Sequence, residues 1–302
     1  MKMKTKNKII LSLVGLITSL LIVTFVMINI VNIGSHNDII DDVIIEEICE
    51  PAVSFSRDSW ETIACNINKG NISAYNVGDT KEVTLDGYGT QTLRIANMST
   101  PDICNTKGFS QSACGLVLEF ADIITVKYMN FIKVSYPEGT SGFGGETGTG
   151  TNKGGWPAST LNTFVNNDIY NSLPGDLRNM IIDTTVISGH GERDSANFTS
   201  TDKLYLLDAK EVYGTSLEGS SYLQDDTASD YERQLDYYLK QGVTIDNYSA
   251  LIKQNKGTNG VWWLRSAYSY ADFFIVNHLG VLNIEEACNV NYEGVSPAFR
   301  IG

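Results

Sequence analysis

Trp262-Trp263-Leu264-Arg265-Ser266 and, further on, Gly294-Val295-Ser296-Pro297-Ala298-Phe299-Arg300-Ile301 are the two stretches on which the fold turns. Both read as core strands, with Phe299 and Ile301 expected to pair opposite Trp262 and Trp263 across one sheet. Arg265 and Arg300 sit beside these aromatics, where a guanidinium usually forks onto a carboxylate or a backbone carbonyl. Between the brackets lie Tyr268, Tyr270, Asp272, Phe274, Asn277, His278, Asn289 and Tyr292. Tyr, Ser and Asn are the residues that adaptable contact surfaces favour. This stretch is therefore the candidate ligand-binding face, suited to recognition rather than bond-breaking, although each residue taken singly reads more readily as part of a solvated loop.

Working outward, the chain mixes strands and helices without a βαβ rhythm, which predicts an α+β fold with a mainly antiparallel sheet. Ser59 to Asn68 opens with a capping signal and carries Trp60, Ile63, Ala64 and Ile67 on one stripe, predicting a helix. Lys81–Leu85 and Gln91–Ala96 alternate with period two around Asp86-Gly87-Tyr88-Gly89, predicting a hairpin. Leu116 to Tyr128 is apolar enough for a buried helix or a strand. Gly139 to Gly155 holds eight glycines in 17 residues and reads as a long loop; it lacks the phosphate-loop pattern, since Lys153 is followed by Gly154. Helices are expected at Ser159–Tyr170, Leu173–Ile182, Arg233–Lys240 and Ser249–Gln254, and strands at Thr184–Ser188 and Lys203–Leu207.

The N-terminus bears on location. Ile9 to Ile33 is 25 residues without a charge, about 37 Å as a helix against a hydrocarbon core of roughly 30 Å. Lys2, Lys4, Lys6 and Lys8 precede it and acids follow it, so by the positive-inside rule the tail 1–8 stays cytoplasmic and the rest is exported. The apolar run is long for a cleavable signal and lacks a clear small-x-small site. The expected layout is a cytoplasmic tail (1–8), a single-pass membrane anchor (9–33), an acidic amphipathic stalk (34–58) and an extracellular domain (59–302). After Ile33 the chain carries 18 basic and 35 acidic residues, a net of −17, which makes nucleic acid and anionic lipid poor partners.

Five cysteines in an exported chain invite disulfides. Cys104 with Cys114 is the favoured pair, Cys49 with Cys65 a looser one, and Cys288 is left over; five buried thiols remain the alternative. With only three histidines and no Cys-x-x-Cys pair, no metal and no cofactor is expected. His190, in Ser188-Gly189-His190-Gly191-Glu192-Arg193-Asp194, could serve acid-base chemistry but lacks a nucleophile at a defining spacing. Asp225, Asp226 and Asp230 lack the spacing of a calcium loop and read as a solvated turn.

The two brackets, with Tyr75–Thr80, Gly154-Gly155-Trp156-Pro157-Ala158-Ser159 and Ser200–Leu207, resemble a family of exported bacterial domains, domain of unknown function 6273. The likeness runs over residues 59 to 302 and implies a C-type-lectin-like superfold, one that also houses formylglycine-generating enzymes. It implies that Tyr268 to Tyr292 is the variable ligand face. The paired cysteines that those enzymes need for copper are absent, since only Cys288 lies in that region, and so are the calcium-binding signatures of sugar-binding lectins. No catalytic residue is carried over. The expectation is a membrane-anchored recognition domain for a surface protein or glycan. The alternative is a surface hydrolase acting on wall polymer or sugar through Glu192, Asp194 and Asp272.

Overall fold

Ser59, extended and just ahead of an apolar stripe, accepts a hydrogen bond on its Oγ from the Thr62 amide and starts the first helix, Trp60–Asn68. The computed structural model describes residues 49–130, 150–218, 229–288 and 293–302. The anchor, most of the stalk and most of the glycine-rich loop lie outside the described residues, as do Asp225 and Asp226. Among the described residues no helix is long and apolar enough to cross a membrane.

Residues 49–58, placed in the stalk by their composition, pack into the folded body. Phe55 is 1 % exposed and meets Trp60 and Tyr75 edge-on. Asp58 accepts from the Val53 and Ser54 amides and the Tyr75 hydroxyl, and Cys49 is bridged to Cys65.

Two five-stranded sheets carry the architecture, which is α+β with few and short helices. The first is ordered β1 (Thr80–Leu85), β2 (Gly89–Asn97), β3 (Val117–Phe120), β14 (Ala298–Ile301), β5 (Ile181–Ile182), with every pair antiparallel. The second is ordered β12 (Leu282–Glu286), β11 (Asp272–Val276), β10 (Trp262–Tyr268), β13 (Glu293–Val295), β4 (Thr125–Lys127). There β10 and β13 run parallel and the other pairs antiparallel. Two small ladders complete the set, β6 (Thr184–Ser188) with β7 (Phe198–Asp202) and β8 (Lys253–Asn255) with β9 (Thr258–Gly260).

The expected pairing of the two brackets is therefore corrected. Trp262 and Trp263 lie in the second sheet and Phe299 and Ile301 in the first. The closing segment crosses between the sheets at Ser296-Pro297, because a proline has no N–H to continue a ladder. Its carbonyl is still used, accepting from the Phe120 amide, and Ser296 Oγ donates to Phe120 O. β10 is buried along Trp262–Ala267, with side chains packed on both faces of its sheet.

Two other elements shift. Lys203–Leu207 forms no ladder beyond a bridge from Tyr205 to Ala298, because its amides at Lys203 and Leu204 are taken by Asn166 Oδ1 and the Leu207 carbonyl by the Arg265 amide. The ladder strand is β7, just before it. The helix expected from Arg233 begins at Asp236: the Leu235 amide is engaged by Glu211 O, while Arg233 reaches Asn97 Oδ1 and Ala113 O. The apolar run from Leu116 to Tyr128 resolves into β3 and β4.

Candidate recognition site

The residues expected to form one ligand face are divided by the meander β10–β11–β12. Tyr268, Tyr270 and Asp272 lie at the β10–β11 turn, whereas Asn277 and His278 lie at the β11–β12 turn. The five residues of β11 hold these turns about 17 Å apart, at roughly 3.4 Å per residue. Phe274 is 1 % exposed and packs on Tyr268 with ring centroids 5.1 Å apart. It supports the hairpin from inside, because β11 is buried on both faces from Phe273 to Val276 and no register there is left to solvent. Asn277 is occupied locally, its Oδ1 accepting from the Leu279 and Val281 amides. His278 and Leu279 are exposed at that turn. Asn289 and Tyr292 lie outside the described residues.

The β10–β11 turn is held rigidly. Asn152, fully buried, points Nδ2 at three carbonyls of the turn: Tyr268 O at 2.8 Å, Ser269 O at 2.9 Å and Asp272 O at 3.1 Å. Ser269 takes a positive φ of 50° within the turn, and its Oγ donates to Asp272 Oδ2 at 2.5 Å. The loop after β6 docks against this turn. The Ala267 amide donates to Gly189 O and the Glu192 amide to Ser269 O, while Arg193 Nε donates to Tyr270 O and its guanidinium lies 5.5 Å from the Tyr270 ring centre. At Gly191, φ is +63°, and a Cβ there would stand 2.9 Å from both Asn152 Nδ2 and Ser269 O. Only glycine lets the loop approach this closely.

The Gly-Gly-Trp-Pro segment anchors the other side of that loop. Gly154 N donates to Asp194 Oδ2, and a Cβ on Gly155 would collide with the Phe198 ring at 2.4 Å. Trp156 Nε1 donates to Asp202 Oδ2, which Ser200 Oγ also reaches. Two of the recognised sequence pieces thus meet at Asp202.

The same loop forms one wall of an open cleft of about 520 Å³, within the range typical of small-ligand sites. Along this wall stand His190, Ser195 and Asn197, with Thr199 of β7 beside them. Ile187 and Gly108 contribute from β6 and from the loop that the Cys104–Cys114 disulfide closes. Asp230 and Tyr231, the latter 46 % exposed, line it as well. The Asn197 Oδ1 is buried without a hydrogen-bond partner, a state that costs roughly 1–3 kcal/mol until a donor arrives. Of the expected acids, Glu192 is exposed, Asp194 is engaged by Gly154 and Asp272 by Ser269, and none of the three lines the cleft; Asp230 is the one carboxylate among its described lining residues.

Beneath the cleft lies a buried charged network. Arg265, fully enclosed, donates to both oxygens of Glu211, to Glu232, and to the carbonyls of Ile187 and Leu206, with Asp208 at 3.8 Å. Ser112 donates to Glu211 and Ser266 to Asp208. One guanidinium faces three carboxyls, so burial, and then the neighbouring acid Asp208, hold the Glu232 carboxyl well above its ordinary range. Burial also raises Asp208 against the pull of Arg265. The network steadies the cleft from behind: Ile187 O accepts from Arg265 Nε, and Glu232 directly follows Tyr231.

The cleft residues Asn197, Thr199 and Tyr231 carry no sequence signal of their own, and Asp230, which reads in the sequence as part of a solvated turn, joins them only through the disulfide loop and the docking of the loop between β6 and β7. Among the described residues no group of histidine, cysteine and acidic side chains is placed to hold a metal ion. A family model described as a domain of unknown function, DUF6273, matches residues 130–302. No curated protein and no solved structure matches the chain. The matched region supplies β5 to β14, while β14 pairs with β3 and β13 with β4, both from before the match.

Proposed function

Because the chain belongs to the DUF6273 family, which is defined without a function, we propose its role from the site: a non-catalytic recognition domain that binds a surface protein or glycan. The observation that carries this reading is the 520 Å³ cleft lined by hydroxyl, amide, imidazole and phenol groups, a polar and adaptable set suited to holding a ligand. Exposed Tyr270, braced by Arg193 beside the same loop, extends the contact surface. The uncharged run Ile9–Ile33 supports a single-pass anchor that presents the domain outside the cell. The likeness of the Trp-Trp-Leu-Arg-Ser and Gly-Val-Ser-Pro-Ala-Phe segments supports a C-type-lectin-like architecture.

A hydrolase of sugar polymers requires two carboxyls flanking the scissile bond, about 5–9.5 Å apart. The cleft offers Asp230 alone among its described lining residues, which favours binding over cleavage. The test is retention of surface partners and glycan-array ligands by the full chain and by Tyr231→Ala and Tyr270→Ala. Loss of binding in Tyr231→Ala with an unchanged melting temperature is the expected result. Unchanged binding in both variants, or turnover of a wall polymer, overturns the assignment.

A further inference from the structure

We propose that the cleft takes an ammonium-bearing ligand, an inference that rests on the recognition reading above and names the chemistry it selects. The argument is the balance of donors and acceptors. No lysine or arginine lines the cleft among the described residues. His190 Nδ1 is engaged by the Gly191 carbonyl, so only Nε2 of that ring is left to face a ligand. Asn197 Oδ1 is a buried acceptor with no donor. Asp230 adds an exposed carboxylate to the lining, next in sequence to the exposed Tyr231. The hydroxyls of Ser195, Thr199 and Tyr231 can turn to accept as well.

An ammonium group answers all of these features. It has three donors and no acceptor, its charge pairs with Asp230, and a tyrosine face attracts a cation. A carboxylate or phosphate ligand would meet Asp230 and the Asn197 carbonyl with no lysine or arginine among the described lining residues to offset them. The strongly acidic charge of the chain after Ile33 adds long-range attraction of the same sign.

The amine could belong to an amino sugar or to an alkyl chain, and the probes separate the two. The full chain in detergent micelles is titrated with glucosamine and cadaverine, and in parallel with N-acetylglucosamine and N,N′-diacetylcadaverine, which keep the skeleton and lose the charge. At least one amine binds at least about tenfold more tightly than its acetylated form, and Asp230→Asn costs that amine about tenfold. Whichever amine leads identifies the source. Asp230 is exposed, so the variant keeps its fold, and an unchanged melting temperature checks this. The proposal is overturned if acetylated forms bind as well, if Asp230→Asn binds the amine unchanged, or if no amine binds. Should no amine bind while Tyr231→Ala still abolishes partner retention, the ligand class falls and the recognition reading stands; if retention is also unaffected, both fall.

Discussion

At the scale of single residues, the Arg265 network shows what one buried guanidinium imposes. Three carboxyls around one positive charge cannot all ionise cheaply in a dry site, and the strain settles on Glu232, whose second oxygen has no partner. An acid whose folded-state pKa is raised is protonated in the native chain while the unfolded chain has already released its proton. The stability tied to it is therefore complete below the ordinary glutamate value and is lost as pH rises above it. Glu232→Gln keeps the acceptor for Arg265 and removes the titration. Its melting temperature relative to the parent is expected to match near pH 4 and to rise progressively towards pH 8, read by thermal denaturation across that range; a constant difference sinks the account. Arg265→Met, in contrast, strands three buried acids and is expected to destabilise by about 3–5 kcal/mol in denaturant titration.

At the scale of elements, the β10–β11 turn and the loop docked on it form one unit that depends on Asn152. Asn152→Ala removes three contacts to turn carbonyls and leaves them buried, so a loss of about 2–3 kcal/mol is expected, with faster amide exchange confined to residues 189–194 and 268–272. Gly191→Ala should give the same local signature, since its Cβ strikes Asn152 and Ser269. Elements with a local cause were legible in the sequence: the Ser59 cap and the β1–β2 hairpin follow from side chains a few residues apart. Those decided at long range were not. Strand β7 and the late helix start at Asp236 depend on Asn166 and Glu211 claiming backbone groups far away in sequence. The same limit governs the site. Residues 268–272 stand out in the sequence by their composition, but nothing there shows that Phe274 is buried, and no spacing joins Tyr231 to His190. The Cys104–Cys114 bridge, which places Gly108 in the cleft wall, gives an independent handle: Cys104→Ser with Cys114→Ser should cost about 2–3 kcal/mol and weaken ligand binding, measured by titration of the oxidised parent and the double variant.

At the scale of the whole molecule, the two sheets are joined by a second buried centre built on Glu119 of β3. It accepts from Arg94 of β2 at 2.9 Å, from Lys253 of β8 at 2.8 Å and from the Tyr238 hydroxyl at 2.7 Å. Lys253 also donates to Phe120 O and to Ser296 Oγ, at the corner where the chain passes from the second sheet to the first. Burial alone would raise the Glu119 pKa, but Arg94 and then Lys253 overcome it and lower it to about 2. Here the folded-state value lies below the unfolded one, so the unfolded chain binds the proton first as pH falls. The stabilisation is whole above about pH 4.5 and is lost between there and about pH 2, an effect on the order of 3 kcal/mol at roughly 1.4 kcal/mol per unit. Glu119 and Glu232 therefore tilt the stability profile in opposite directions, with the crossover near the ordinary glutamate value, and maximal stability in mildly acidic solution is expected. Glu119→Gln leaves two buried cations short of a counter-charge and should lower stability by about 3–5 kcal/mol at pH 6 while flattening the acid limb. Urea unfolding at intervals from pH 2.5 to 8 measures both limbs at once. An acid limb that persists in Glu119→Gln would remove this centre as the acid-sensitive joint between the sheets and shift that role to Asp58 or Asp236, whose hydrogen bonds also hold their pKa values low.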